Sequence, residues 1–176
     1  TIGISGHENP DGDCAGACLA MALFLEKAMP EARTDVFLEE LRPELYRNIP
    51  GAEKVKTDFT SDVDSYDAFI VLDSACDRIA GAGDMFLRAA KTINIDHHIS
   101  NPGSAMVNYI NGGSSSACEL VYEVIDQDLL DREIAQALYT GMVTDTGCFR
   151  FSNTSQKKRG RWASMSFPSY WRFQSR

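Results

Sequence analysis

Short apolar runs recur along this chain at helix-length intervals, and several of them stop at an aspartate or a histidine. Thr1 to Ser5, Thr34 to Leu38, Ala68 to Leu72, Thr92 to Ile95 and Met106 to Ile110 each read as a strand. Ala68 to Leu72 is apolar throughout, which suits a strand buried on both faces. Between these runs, Cys14 to Ala28 places Ala, Leu and Met at helical spacing. Ser114 to Ser116 can cap a helix running through Leu120, Val121, Val124 and Ile125, with Glu119 in its first turns, and Asp131 can cap another through Ile134, Ala137 and Leu138. Strands alternating with helices predict an α/β fold, a mainly parallel sheet with helices on both faces.

With 176 residues, 44% of them hydrophobic and 24% charged, the chain can bury one real core, so one domain is expected. A net charge of -8 argues against a protein that grips long duplex nucleic acid by a broad basic face, because such binding depends on neutralised phosphates. Small anionic substrates remain compatible if metal ions supply the positive charge. The five cysteines are scattered and form no CxxC pair, so neither a disulfide framework nor a zinc site is expected, and a reducing, cytoplasmic compartment fits. No run approaches the roughly 20 apolar residues that span a bilayer. Thr1 stands first without a methionine, as in a fragment or a trimmed chain.

Potential ligands gather at the predicted strand ends. His7, Asp11 and Asp13 follow the first strand in a loop that Pro10 and Gly12 make tight and irregular. Asp73 closes the apolar strand, where burial of a carboxylate calls for a positive partner; a plain helix cap is the blander reading. Asp96, His97 and His98 follow another strand, and consecutive side chains are expected to point apart, one histidine toward a metal and the other toward substrate. Asp145 lies between Gly141 and Gly147, in what reads as a loop whose small residues allow close approach of backbone to a ligand. In a parallel sheet these ends share one edge, the edge at which such folds place their sites. Carboxylates and imidazoles without cysteine suit hard or borderline divalent ions, manganese first, with magnesium or cobalt as alternatives. Two such ions about 3.5 to 4 Å apart are the standard device for phosphoester hydrolysis.

HENPDGD, VLDSACDR, NIDHHISN and ALYTGMVTDTGCFRFSNT resemble, in order and spacing, the four signatures of the DHH phosphoesterases. The run from NIDHHISN through GGSSSACELVYE to TDTGCFRFSNT is most similar to the bacterial oligoribonucleases that also dephosphorylate pAp, adenosine 3′,5′-bisphosphate. The resemblance implies a Rossmann-like DHH domain over residues 1–154 and a manganese-dependent hydrolase acting on small nucleotides or very short single-stranded RNA as an exonuclease. It implies that His7 and Asp11 hold one ion, that Asp13, His97 and Asp145 hold the other, and that Asp73 bridges them. His98 would face the scissile phosphate, and Asp96 would orient the neighbouring histidine. Gly113, Ser114, Ser115, Ser116 and Arg150 are weaker candidates for substrate contacts, the serines as donors at a helix N-terminus and Arg150 between Phe149 and Phe151.

Family members continue into a second, smaller domain of the DHHA1 type, with a glycine-rich substrate motif, and nothing like it follows Asn153 and Thr154. Two outcomes are compatible with that: an active enzyme, or a non-catalytic metal- and nucleotide-binding core. Pyrophosphate, cyclic dinucleotides and single-stranded DNA are the alternative substrates within the superfamily, and a homodimer is compatible with the pattern. Residues 155–176 carry six of the 17 basic residues, five aromatics and no acidic residue. That composition suits a nucleic-acid tail, yet it lacks helical or strand periodicity, so a non-native or disordered end is expected there.

Overall fold

The computed structural model describes residues 1–148. Arg150, the end of the domain expected at 154 and the basic segment 155–176 lie outside the described residues. Six parallel strands form one sheet: β1 (Ile2–Ser5), β2 (Thr34–Phe37), β3 (Val55–Lys56), β4 (Ala68–Leu72), β5 (Thr92–Asp96) and β6 (Val107–Ile110). Their spatial order is β3-β2-β1-β4-β5-β6, and every pairing is parallel. The helices are α1 (Gly12–Ala28), α2 (Pro43–Asn48), α3 (Gly83–Arg88), α4 (Ala117–Val124) and α5 (Arg132–Asp145).

The α/β class expected from the sequence is therefore observed. β3 and α2 had no apolar signature of their own: β3 is two residues long and pairs only through Val36↔Val55 and Phe37↔Lys56.

Alternation along β4 splits the core in two. Ile70 and Leu72 point into the cluster built by α1, α4 and α5, whereas Phe69 and Val71 point into the one that holds Met85 and Phe86 of α3. On that second face the Phe69 ring packs edge-on against Tyr66 and Phe86, at 5.7 and 6.1 Å between centroids. Both faces carry helix, though the second relies on one short helix and the aromatic loop residues.

The chain leaves β1 through α1 toward β2 on one side, and leaves β4 through α3 toward β5 on the other. Their connections part at the β1/β4 junction, which opens a crevice at the C-terminal ends of the strands.

Candidate metal centre

Each side chain of the centre is delivered by a strand end or a helix end at that crevice. Asp11 caps α1: its Oδ1 accepts from the backbone N–H of Asp13 and of Cys14, both at 3.0 Å. The same cap turns His7 inward, with Nε2 at 3.7 Å from Asp11 Oδ1 and 3.5 Å from Asp73 Oδ2. His7 Nδ1 donates to the Glu8 carbonyl at 2.7 Å, which fixes the ring and leaves Nε2 as the free donor atom.

Asp13 lies inside the first turn of α1 and is 1% exposed. Its carboxylate accepts from the first two N–H groups of α4, Oδ2 from Ala117 at 2.6 Å and Oδ1 from Cys118 at 2.9 Å. A helix N-terminus satisfies an anion in this way. Even so, burial first and the charge of Asp73 second push Asp13 up to about 8.

Asp73 stands at the centre. It is 2% exposed, and its backbone sits at φ 53°, a left-handed conformation that aspartate tolerates better than most residues. Oδ1 lies 3.3 Å from His97 Nε2 and 3.7 Å from His98 Nδ1. Neither approach is a hydrogen bond, so this buried oxygen is left without a hydrogen-bond partner among the described residues.

Consecutive residues past the end of β5 no longer alternate, and both imidazoles turn toward Asp73, their centroids 4.6 Å apart. The expectation that they would diverge is corrected accordingly. His97 Nε2 also lies 3.7 Å from Asp13 Oδ2. Burial would lower His97, but Asp73 outweighs it and holds the imidazole up at about 9. The histidine that Asp96 contacts is His98, not the adjoining His97: Asp96 Oδ1 accepts from Nδ1 at 2.7 Å and raises its pKa. Asn101 completes that support by donating to Asp96 Oδ2 at 2.6 Å and to Asn94 Oδ1 at 2.8 Å. Asn101 escaped the sequence reading, although it closes the NIDHHISN motif.

Asp145 is the last residue of α5 rather than part of a loop. The small residues ahead of it serve helix packing, because a Cβ at Gly141 would strike Cys118 Sγ and lie 3.0 Å from Asp13 Cα. α5 thereby comes close enough to α1 for Asp145 to reach the crevice, where burial first and Asp73 among its neighbours raise its carboxyl.

Three sets of donor atoms lie within 4.8 Å of one another: Asp73 with His97 and His98, Asp13 with His97 and Asp145, and His7 with Cys14 and Asp73. Asp73 belongs to two of them. Asp11 joins none and reaches only His7, while Cys14, absent from the sequence candidates, takes its place. Burial raises the Cys14 thiol well above its ordinary value, which keeps it protonated and a poor ligand.

Oxygen and imidazole donors converging on an unpartnered carboxylate oxygen fit a divalent cation.

The serine run is engaged at the start of α4. Ser116 Oγ caps α4 by accepting from Glu119 N at 3.1 Å, and Glu119 Oε2 accepts from Ser114 Oγ at 2.7 Å and from Ser115 N at 2.6 Å. Ser116 thus fills the capping role expected from the sequence, and the Glu119 side chain reaches the N–H of Ser115, the residue before the cap. Gly113 is exposed, and its N–H donates to Asn111 Oδ1 at 3.0 Å.

Residues 1–142 match the N-terminal domain of the DHH family. The chain is 30% identical over 158 residues to a bifunctional oligoribonuclease and PAP phosphatase of Thermus thermophilus, covering 88% of this chain and 46% of that protein. The Bacillus subtilis protein of the same description is 24% identical over 168 residues, covering 89% and 50%. The chain thus spans about half the length of these relatives. Among solved structures, an exopolyphosphatase-related protein from Bacteroides fragilis superposes with a TM-score of 0.80 at 25% identity, over 93% of this chain and 51% of that one. A Methanococcus jannaschii protein described as a putative family II inorganic pyrophosphatase gives a TM-score of 0.59 at 17% identity, over 91% of this chain and 53% of that one.

Proposed function

The chain belongs to the DHH family, and on that premise we propose that it is a two-metal phosphoesterase acting on short oligoribonucleotides and on pAp. One observation carries the reading: the buried Asp73 carboxylate, with Oδ1 unpartnered, is shared between two sets of donors at the switch point of the sheet. His7 and Asp11 would hold one ion, Asp13, His97 and Asp145 the other, and Asp73 would bridge them, with manganese first among the candidates. When bound, such ions lower the pKa of an attacking water and neutralise charge on the phosphoryl oxygens.

The protein's own groups supply the rest. His98 is half exposed and lines the crevice, so it meets substrate. Asp96 accepts from His98 Nδ1 and favours the protonated imidazole, the form in which His98 can donate to the departing oxygen. Asp13 is held at the floor by the N-terminus of α4, which fixes the site before substrate arrives. Among the described residues no helix is long and apolar enough to cross a membrane.

Hydrolysis of pAp, of a trinucleotide RNA and of pyrophosphate, each with and without manganese and beside Asp73→Asn, tests the reading. Manganese-dependent release of mononucleotide or phosphate, lost in the variant, is the expected result. Tight manganese binding with no turnover of any substrate would instead assign the chain a binding role without catalysis. Preference for pyrophosphate would move it to another branch of the superfamily.

A further inference from the structure

The crevice that holds Asp73 and His98 opens into a pocket of about 380 Å³, within the roughly 300 to 1,000 Å³ of small-molecule sites. Four carboxylates line it, from Glu8, Asp11, Asp73 and Asp96, and Arg78 is the one lysine or arginine that does so among the described residues. Arg78 sits at the junction of two site loops. Its carbonyl accepts from Glu8 N at 3.2 Å, and its own N–H donates to Ala75 O at 3.1 Å, so the base of the side chain is anchored. No carboxylate of the described residues pairs with the guanidinium, whereas Lys27, Arg33, Lys54 and Lys56 each have an acidic partner.

Depth separates Arg78 from the metal-binding groups. Asp73 is buried at the floor, and Arg78 is exposed at the rim. A phosphate held at the floor leaves the guanidinium free for a second anionic group farther out, and its planar fork matches two phosphate oxygens at once. A cation at the rim of an otherwise acidic pocket also favours entry of an anion.

We propose that Arg78 binds a phosphate of the substrate other than the one cleaved, so that the site selects ligands carrying two phosphates, such as a nucleoside bisphosphate or an oligonucleotide with a neighbouring phosphodiester. This rests on the phosphoesterase reading above.

Steady-state kinetics with pAp, combined with competitive inhibition by inorganic phosphate, test it on the wild-type chain, Arg78→Ala and Arg78→Lys with manganese present. The expected result is a KM for pAp raised about tenfold to a hundredfold in Arg78→Ala, the loss of a charged hydrogen-bond pair, and raised less in Arg78→Lys. The inhibition constant of inorganic phosphate, a single-phosphate ligand held at the floor, stays within about twofold of wild type. An unchanged KM in Arg78→Ala overturns the inference while leaving the phosphoesterase reading intact, and so does equal weakening of pAp and inorganic phosphate. An inactive wild-type chain removes the proposed function and this inference together.

Discussion

Asp73 joins two demands at one residue: a left-handed backbone at φ 53° and a buried carboxylate. Asparagine meets the first and removes the second, so Asp73→Asn isolates the charge. We expect it to lower manganese-dependent turnover on the order of a thousandfold, as expected for loss of a group that acts on the transition state. The metal-free variant should be at least as stable as wild type in urea, because a charge next to Asp13 is gone. Asp73→Ala should lose about 1 to 2 kcal/mol against Asp73→Asn in the same titration, since alanine resists that backbone region. His98 offers a second handle. Asp96 raises its pKa, so Asp96→Asn lowers it, and an acid is deprotonated earlier as pH rises. The alkaline limb of the kcat–pH profile should therefore move to lower pH in Asp96→Asn, and a profile that stays in place would remove His98 from the acid's role.

Among the elements, the contact of α1, α4 and α5 decides whether the donors meet. Gly141 lets α5 approach Asp13 and Cys118, and Gly16 lets α1 approach the Ala137 carbonyl, where a Cβ would come within 2.7 Å. Gly141→Ala is expected to destabilise the chain by about 1 to 3 kcal/mol through overpacking, and to weaken manganese binding, because the added methyl displaces Asp13. Urea unfolding and a manganese titration of the same variant measure both. The strand ends bearing His7, Asp73 and His97 were legible in the sequence, because an apolar run that stops at a ligand is a local pattern. Asp145 was legible as a residue but not as a helix end: Gly141, which helps suggest a loop, is explained by packing partners distant in sequence, Cys118 and, 128 residues earlier, Asp13. The cap of α4 was legible too, because Ser116 stands three residues ahead of Glu119 at the start of an apolar helical run. Other donors of the run, Ser114 Oγ and Ser115 N, find an acceptor in Glu119.

At the scale of the whole molecule, metal-free chains carry a centre in which protons stand in for cations. Asp13 rises from 3.8 to about 8, and His97 from 6.5 to about 9. Both bind protons more tightly folded than unfolded, so the stability they contribute is full below pH 3.8 for Asp13 and below pH 6.5 for His97, and it is gone above about 8 and 9 respectively. Thermal midpoints in the presence of a chelator should therefore fall as pH rises from about 4 to about 9. Manganese should reverse the loss at the alkaline end, by about 2.7 kcal/mol for an ion present at a hundred times its dissociation constant. The parallel order of the sheet followed from the alternation of elements, but the position of the switch point between β1 and β4 did not, since strand order is set by crossovers that leave no mark in sequence. The account stands most directly on the shared carboxylate. Electron paramagnetic resonance of manganese titrated into the chain and into Asp73→Asn should show two ions per wild-type chain with exchange-coupled spectra, and loss of that coupling in the variant. A single uncoupled ion in the wild type, or a coupled pair that survives Asp73→Asn, would contradict it.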